Sequence, residues 1–311
     1  MVGSTADKTL ATKAHVGRVA LVGRPNVGKS TLLNVLVDEK IAIVSPHPQT
    51  TRQRLLGVRT DETSQIAFVD TPGLQLGPSP PRHRLGVRMQ NEALESLRGA
   101  DLVLVVADAR APAPDDELLA SIPKGAVLAL NKVDLVHPKS RLFDTLQAWS
   151  KAYDFAAIVP ISAKTKSGVR DLLAELRSRL PTGEPLFADD ALTDRPARFL
   201  AAEIVREQLL LRVRDEIPHG IAVTVDRFDE LGKRGARIAF TVHVPKESHK
   251  KIVVGRGGAV LKAVGTAARR RISRLLGTPA HVSIWVRVTP DWVDDPKALG
   301  DILDEVTTAS S

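Results

Sequence analysis

Eight residues near the start of the chain have the types and spacing of a loop that binds phosphate. They run from Gly23 to Ser30 as Gly-Arg-Pro-Asn-Val-Gly-Lys-Ser and fit the pattern G-x-x-x-x-G-K-[S/T]. Glycines let such a loop turn tightly and direct its backbone N–H groups at a phosphate. At this spacing Lys29 is expected to reach the terminal phosphates of a nucleoside triphosphate, and Ser30 to bind Mg²⁺. The alternative is a glycine turn before an ordinary helix.

Two further segments carry chemistry that would complete this phosphate site. Asp70-Thr71-Pro72-Gly73 follows an apolar run and gives the pattern D-x-x-G, with a carboxylate for the Mg²⁺ shell and a glycine N–H for the γ-phosphate. In Gln49-Thr50-Thr51-Arg52 we choose Thr51 over Thr50 as the hydroxyl that completes Mg²⁺ coordination when the γ-phosphate is present. The alternatives are a Pro-Gly turn and an exposed, threonine-rich connection.

The base must be recognised elsewhere, and Asn131-Lys132-Val133-Asp134 fits the guanine motif N/T-K-x-D. The Asp134 carboxylate can accept from both N1–H and the 2-amino group of guanine, a donor pair that adenine does not have. Asn131 would support the loops, and Lys132 would lie over the base. Ser162-Ala163-Lys164 would add a backbone N–H, at Ala163, for the guanine carbonyl oxygen.

These segments define the predicted nucleotide site. The groups predicted to act on the reacting phosphates are Lys29, Thr51 and Gly73, and the predicted Mg²⁺ ligands are Ser30, Thr51 and Asp70. The predicted contacts to GTP or GDP are Gly23, Arg24, Pro25, Asn26, Val27, Gly28, Lys29, Ser30, Thr31, Asp70, Thr71, Pro72, Gly73, Asn131, Lys132, Asp134, Ser162, Ala163 and Lys164.

Two positions bear on the rate of hydrolysis. Leu74 stands where Ras-type enzymes carry the glutamine that orients water, and an aliphatic side chain cannot do this. Arg82, Arg84 and Arg88 are candidates for an arginine finger by proximity alone. We therefore expect slow hydrolysis that a partner or a monovalent cation stimulates. Asn26 is the residue type of potassium-stimulated GTPases, so we predict it as a K⁺ ligand.

The elements that must position these residues alternate along the first half of the chain. Apolar runs at 16–22, 66–69, 102–107, 127–130 and 157–161 predict strands, and helical patterns such as 85–97 separate them. This order predicts an α/β fold, a mostly parallel sheet covered by helices on both faces, with ligands at the carboxyl ends of the strands. We expect a tail at 1–15, this domain at 16–182 and a Pro-containing linker at 183–196.

Composition limits the function classes. The 311 residues include no cysteine, which excludes disulfides and thiolate metal sites, and no apolar run approaches a membrane span. We expect a soluble, intracellular protein.

The net charge of +8 is unevenly distributed along the chain, because residues 195–290 hold 19 Lys and Arg against 8 Asp and Glu. This excess favours a polyanionic partner, nucleic acid or an anionic membrane; a merely solvated basic face is the alternative.

The basic half predicts a second domain at 197–290, followed by a helix or tail at 291–311. Its patterns predict the order α-β-β-α-α-β, with a Gly255-Arg256-Gly257-Gly258 turn between two helices, as in a type II KH domain.

In the helix 259–276, six apolar residues are predicted to be core: Val260, Leu261, Val264, Ala268, Ile272 and Leu275. The turn and Lys262, Arg269 and Arg270 are predicted to bind RNA, preferably single-stranded. Trp285 and Trp292 are predicted to pack rather than to stack bases.

Together, GRPNVGKSTLLN, QTTR, DTPG, NKVD, SAK and VVGRGG resemble the bacterial Era-type GTPases over about residues 16–290. The resemblance implies GTP and GDP binding with Mg²⁺, slow hydrolysis, KH contact with the 3′ end of 16S rRNA, and a role in 30S subunit assembly. It also implies a cytoplasmic protein with peripheral association to the cell membrane. We expect a monomer that does not bind DNA. Arg256 stands where these sequences often have Lys, and Pro78 to Pro81 would enlarge the second switch.

Three functions therefore stay open at this point. In the first, the chain is an enzyme that uses GTP to time RNA binding. In the second, it is a nucleotide-regulated RNA chaperone with hardly any turnover. In the third, it is a membrane-associated regulator whose basic face meets lipid.

Overall fold

The computed structural model describes residues 15–47, 50–74, 81, 83–111, 116–213 and 220–308. Residues 1–14 of the tail predicted at 1–15, together with Gln49, Arg82 and the prolines at 78 and 80, lie outside these residues, whereas His15 is the first residue of a strand. The chain forms two compact units. The first contains Met1–Lys40, Arg54–Leu74 and Ala93–Asp194, and the second contains Ile41–Gln53, Gln75–Glu92 and Arg195–Ser311.

A six-stranded sheet forms the centre of the first unit. Its strands are β1 (His15–Val22), β2 (Leu55–Thr60), β3 (Ser64–Asp70), β4 (Leu102–Asp108), β5 (Val127–Asn131) and β6 (Ala157–Pro160). They lie in the order β2-β3-β1-β4-β5-β6, and all neighbours are parallel except β2 and β3. The α/β fold with a mostly parallel sheet is therefore confirmed. Buried strands of this kind consist of nearly continuous apolar runs, which is why the sequence predicts five of the six.

The helices of this unit connect the strands and cover the sheet. They are α1 (Lys29–Val37), the end of α2 (Arg84–Arg98), α3 (Asp116–Ser121), α4 (Ser140–Ala152) and α5 (Val169–Ser178). In α1, the leucines at 32, 33 and 36 are fully buried, as the i, i+3, i+4 spacing of an amphipathic helix requires. The first turn of α1 follows directly from the 23–30 loop, so the packing of this helix fixes the loop.

The second unit contains the α-β-β-α-α-β order that the sequence predicts. It is built from α6 (Ala197–Leu210), β7 (Ala222–Glu230), β8 (Ala236–Val244), α7 (Glu247–Val254), α8 (Ala259–Leu276) and β9 (Ala280–Val288), with α9 (Pro296–Thr308) at the end. The sheet order is β7-β8-β9, antiparallel between β7 and β8 and parallel between β8 and β9. Strand β9 thus lies at an edge.

The predicted core face of α8 is only partly correct. Val264, Ala268 and Ile272 are fully buried. Val260 and Leu261 are half-buried, and Leu275 is 39% exposed, so its prediction as a core residue is wrong. Leu275 lies in the last turn before Gly277, where the helix ends.

Two segments from the first half of the chain belong to the second unit. One is Ile41–Gln53, and the other includes the start of α2. Leu85 and Met89 of α2 join a buried cluster with Ala222, Trp292, Leu299, Ile302 and Leu303. Arg88 donates to Asp304 at 2.5 Å, so this arginine is held by α9. Burial of these apolar side chains stabilises the attachment of the α2 segment to the second unit.

Among the described residues, no helix has the length and apolar character needed to cross a bilayer.

Candidate nucleotide site and nucleic-acid groove

The 23–30 loop has a backbone that only glycine tolerates at two positions. Gly23 and Gly28 have φ angles of 154° and 103°. A Cβ on Gly23 would lie 2.2 Å from the Val106 carbonyl oxygen, and one on Gly28 would lie 2.4 Å from Asn131 Nδ2. The loop therefore lies tightly against β4 and against the start of the guanine motif, and its curvature leaves backbone N–H groups for an anion.

Lys29 is held inside this loop. Its side chain is 6% exposed, and its Nζ donates to the carbonyl oxygens of Gly23 at 3.0 Å and Arg24 at 3.1 Å. Burial lowers the pKa of Lys29 to about 8, while the Asp70 charge opposes that shift. The ammonium is thus desolvated and positioned by backbone oxygens, and phosphate oxygens are a stronger partner for it.

Ser30 and Asp70, two predicted Mg²⁺ ligands, lie in direct contact. Ser30 Oγ donates to Asp70 Oδ2 at 2.7 Å, and the Asp70 side chain is fully buried. A hydroxyl and a carboxylate at the phosphate loop are the hard oxygen donors that Mg²⁺ takes together with phosphate oxygens. The residues present therefore fit this ion.

The D-x-x-G segment packs closely on the phosphate loop. Thr71 Oγ1 donates to the Leu21 carbonyl oxygen at 2.8 Å, and a Cβ on Gly73 would lie 3.0 Å from the Pro25 backbone. This approach places the Gly73 backbone beside the loop, where its N–H is predicted to meet the γ-phosphate. Leu74 is fully buried, and its N–H donates to the Gly23 carbonyl oxygen at 3.3 Å.

Asn131 connects three of the predicted motifs. Its Nδ2 donates to the Val27 carbonyl oxygen at 2.8 Å, and its Oδ1 accepts from the N–H groups of Lys132 at 2.8 Å and Ala163 at 2.9 Å. The sequence assigns the Ala163 N–H to guanine, whereas in the structure Asn131 takes that hydrogen bond. One amide side chain thus fixes the phosphate loop, the guanine motif and the 162–164 loop against each other.

The side chains around the predicted base position are oriented by charge. Lys132 has a φ of 67°, and its Nζ contacts the Asn26 carbonyl oxygen at 2.5 Å and Asp108 Oδ2 at 2.9 Å. Asp134, which is half-buried, is the middle residue of a short helical turn over 133–135. Ser162 is buried and accepts from the Thr165 N–H at 3.1 Å, whereas Lys164 is exposed.

Asp108 is a residue that sequence reasoning missed. It ends β4 beside Asn131, and it binds both Lys132 and Arg110, the latter at 2.7 Å. Burial opposes ionisation, but hydrogen bonds from Arg110 and Lys132 hold the pKa of Asp108 well below its usual range. Its position after a buried strand, at the same edge as the motif residues, is a signal that could have identified it.

Thr51 lies in the second unit, in the Ile41–Gln53 segment, and its role stays a prediction. The neighbouring Thr50 hydroxyl donates to the His47 carbonyl oxygen at 2.7 Å. Two other backbone groups of the segment contact α6: Val44 N–H donates to Glu207 Oε1 at 2.9 Å, and the Thr50 carbonyl oxygen accepts from Arg206 Nη2 at 2.5 Å.

Arg52 completes the attachment of this segment. It is 6% exposed, and its Nη1 donates to the Ile221 carbonyl oxygen at 2.5 Å. Burial lowers the pKa of Arg52 to about 9, and the neighbouring Arg206 charge acts in the same direction. Gln53 Nε2 adds a bond to the Leu303 carbonyl oxygen at 2.7 Å. The segment is thus bonded to α6, to the start of β7 and to α9.

The glycine turn between α7 and α8 has the backbone that its sequence predicts. Gly255, Gly257 and Gly258 have φ angles of 75°, 56° and 78°, and Arg256 is exposed. Beside the turn lies an open groove of about 390 Å³. Its lining residues come from α8 and β9: Gly258, Leu261, Lys262, Gly265, Thr266, Arg269, Val282 and Ile284. The predicted RNA contacts Lys262 and Arg269 thus line the groove. Arg270 is exposed on α8 outside this lining.

Both halves of the chain match known protein families. Residues 18–132 match the model of a 50S ribosome-binding GTPase, and residues 216–293 match the KH domain. GTPase Era of Trichlorobacter lovleyi is 42% identical over 92% of this chain and 96% of its own length. This chain belongs to the Era GTPase family. GTPase Era of Ruminiclostridium cellulolyticum is likewise 42% identical, over 89% of this chain and 93% of its own length.

Two solved Era structures are similar to this chain over most of its length. An Aquifex aeolicus Era variant bound to GDP and AlF₄⁻ is 36% identical, with a TM-score of 0.87 over 93% of this chain and 99% of its own. Era in complex with MgGDPNP and nucleotides 1506–1542 of 16S ribosomal RNA is 37% identical, also with a TM-score of 0.87, over 93% and 98%. The chain is therefore a GTPase that hydrolyses GTP to GDP and phosphate and that carries a KH domain.

Proposed function

We propose that this Era-family GTPase uses its nucleotide state to control the binding of unpaired RNA in the groove beside the 255–258 turn. The observation that carries this proposal is the position of Glu207 in α6. Its carboxylate accepts from the backbone of Val44, in the segment expected to respond to the γ-phosphate, and also lies against Arg271 of α8, the helix that lines the groove. A change at Val44 thus has a direct route to α8.

The chemistry of the groove supports RNA as the ligand. Glycines at the turn let a nucleic-acid backbone approach, and the exposed Arg256, Lys262 and Arg269 are suited to phosphates. The solved Era complex that includes 16S rRNA nucleotides 1506–1542 supports the 3′ end of this rRNA as the target. We propose assistance to 30S subunit assembly in the cytoplasm as the resulting role.

The residues of the nucleotide site support slow hydrolysis. When bound, Mg²⁺ supplies positive charge that stabilises the transferring phosphoryl group. Lys29 adds a positioned cation, and Gly73 offers a backbone N–H. Leu74 is aliphatic and fully buried, and Arg88 is bonded to Asp304. Neither side chain is placed to orient water, so we propose that stimulation comes from K⁺ at Asn26 and from a partner.

The test measures the affinity of a labelled oligonucleotide of the rRNA 3′ end by fluorescence anisotropy, with a non-hydrolysable GTP analogue, with GDP and without nucleotide. Affinity is expected to differ at least severalfold between the first two states. Equal values in all three states contradict nucleotide control. As a control for the groove, Gly257→Asp is expected to lower RNA affinity in every state, because it adds a negative charge to the turn at a φ of 56°.

Two other functions give different results in the same assays. An RNA chaperone with little turnover would still support subunit assembly after Lys29→Ala. A membrane-associated regulator would keep its RNA affinity after Gly257→Asp and would bind anionic vesicles through its basic face. For the proposed enzyme, both variants are expected to lose activity in assembly.

A further inference from the structure

Trp285 in β9 is the one tryptophan of the chain whose side chain reaches solvent. The chain has three tryptophans. Trp149 is 2% exposed and Trp292 is fully buried, as predicted for the latter, but Trp285 is 57% exposed. Its prediction as a packing residue is therefore wrong. A large apolar ring in the middle of a strand, left in water, needs a different explanation.

The two faces of β9 differ in what they contact. Side chains alternate along a strand, and the burial of β9 alternates with them. Val282 and Ile284 line the RNA groove on the α8 face. Ser283 and Trp285 lie on the opposite face, beside Ala239 and Thr241 of β8. Because β9 is an edge strand, the groove and Trp285 are separated only by the thickness of this strand.

The face around Trp285 is positively charged. Arg237 and Arg287 lie on it and are exposed, and among the described residues no acidic side chain pairs with either. The carboxylates nearby are engaged: Asp226 accepts from Thr241 Oγ1 at 2.7 Å, and Asp229 pairs with Arg227 at 2.5 Å. Arg287 lies two residues along β9 from Trp285, and Arg237 lies opposite His281 in the register. An exposed aromatic ring with guanidinium groups on the same side of the sheet matches a nucleic acid, which offers bases for stacking and phosphates for arginine.

We propose that the exposed side chains on this side of β9, Trp285 and Arg287, together with Arg237 of β8, form a second RNA contact in which Trp285 stacks an unpaired base of the RNA strand that leaves the groove over β9. The inference rests on the proposed RNA-binding function and deepens it. A KH groove clamps about four nucleotides, so a longer RNA extends beyond it and passes the edge strand on one side. Base stacking on an aromatic ring is sequence-tolerant, so this contact adds affinity rather than sequence recognition.

The test compares two single-stranded RNAs from the rRNA 3′ end, one of about six nucleotides, sufficient for the groove, and one of about twenty. Trp285→Ala is expected to weaken the longer RNA about tenfold and to leave the shorter one unchanged. Trp285→Phe, which keeps a ring, is expected to retain most of the affinity. Phe143→Ala is the matched control, because Phe143 is 70% exposed on α4 of the first unit.

A second measurement does not depend on a destabilising variant. In the unaltered protein, the longer RNA is expected to quench the fluorescence of Trp285, and this quenching is expected to be absent in Trp285→Phe, which retains the two buried tryptophans. If Trp285→Ala binds the longer RNA as tightly as the unaltered protein, or if no quenching occurs, the proposal of a second RNA contact is wrong. The proposed RNA binding in the groove is not affected by that result. If the unaltered protein binds neither RNA, the proposed function fails and this inference with it.

Discussion

The backbone N–H of Val44 donates to the Oε1 atom of Glu207 at 2.9 Å, although 163 residues separate them in the sequence. Glu207 is 1% exposed and lies against Arg271, and its Oε2 also accepts from Gln208 Nε2 at 3.4 Å, so its carboxylate is paired and hydrogen-bonded inside the second unit. A buried carboxylate is costly unless it is paired and hydrogen-bonded, and here both conditions are met.

Glu207→Gln is expected to reduce the difference in RNA affinity between the GTP-analogue and GDP states. The amide oxygen still accepts from Val44, but the ion pair with Arg271 is lost, so the connection to α8 is weakened. Breaking a buried pair costs about 3 kcal/mol, which denaturant unfolding would detect. Adding Arg271→Gln is expected to restore stability without restoring the difference. Glu230→Gln, at an exposed position of β7, is the control. A full nucleotide effect in Glu207→Gln would contradict the route through this residue.

Asp134→Asn is expected to change the base that the nucleotide site prefers. In the predicted contact the carboxylate accepts two hydrogen bonds from guanine, whereas an asparagine amide can accept one and donate one, which matches xanthine. The loss of a charge-assisted bond, about 1.5 to 3 kcal/mol, corresponds to about a tenfold to hundredfold weaker affinity for GDP. Titration with fluorescent GDP and xanthosine diphosphate measures the change. The exposed Asp154→Asn is expected to behave like the unaltered protein, and undiminished GDP affinity in Asp134→Asn would exclude the assigned contact.

Asn26 provides the test of the proposed K⁺ site. GTP turnover is expected to be severalfold faster in K⁺ than in Na⁺ at equal ionic strength, and Asn26→Gly is expected to abolish that difference. Glycine suits the test because Asn26 has a φ of 63°, so the substitution removes the side-chain oxygen without straining the backbone. GDP affinity, measured in Na⁺, is the control and is expected to stay the same. Identical turnover in the two salts would remove K⁺ from the proposal.

His243 makes the stability of the second unit dependent on pH. Burial, with the nearby Arg287 charge, lowers the pKa of His243 to about 4, and its ring is hydrogen-bonded to Thr224 and Thr289. The nearby Asp226 carboxylate opposes this shift. Since the unfolded chain takes up a proton near pH 6.5 and the folded chain does not, stability falls as the pH is lowered from 6.5 towards 4.

His243 alone is expected to lower the free energy of unfolding by about 2 kcal/mol when the pH is reduced from 7 to 5. Urea unfolding at the two pH values measures the loss. His243→Asn is expected to reduce the dependence, whereas His281→Asn, at an exposed position of β9, is expected to leave it intact. The same loss in all three proteins would assign it to other groups.

Local pattern was sufficient to predict the regular elements of the KH half. The predicted order α-β-β-α-α-β is found, and helix α8 has the predicted bounds 259–276, because alternation and i, i+3, i+4 spacing act over neighbouring residues. Strand β2 was missed, since Gly57 interrupts its apolar run and its pairing with β3 depends on a turn. The motif residues of the first unit were identifiable because their chemistry requires particular side chains, whereas Asp108 belongs to no such motif.

The incorrect predictions concern burial, that is, whether another part of the protein packs against a given side chain. Leu275 and Trp285 are apolar and lie in correctly predicted elements, yet both are exposed. Periodicity shows that a strand has two faces, but it does not show whether something packs on each. The hydrogen bond between Val44 and Glu207 could not be predicted from the sequence either, because it joins a backbone group to a side chain that is distant in the sequence.

The assignment of Ile41–Gln53 to the second unit limits how the two halves of this protein can be exchanged. A hybrid that joins this GTPase half to the KH half of a distant relative would keep every nucleotide motif and every groove residue. It would nevertheless replace the α6, β7 and α9 residues to which that segment is bonded. Such a hybrid is therefore expected to lose the hydrogen bonds that attach Ile41–Gln53 to the second unit, even though both sets of site residues are kept.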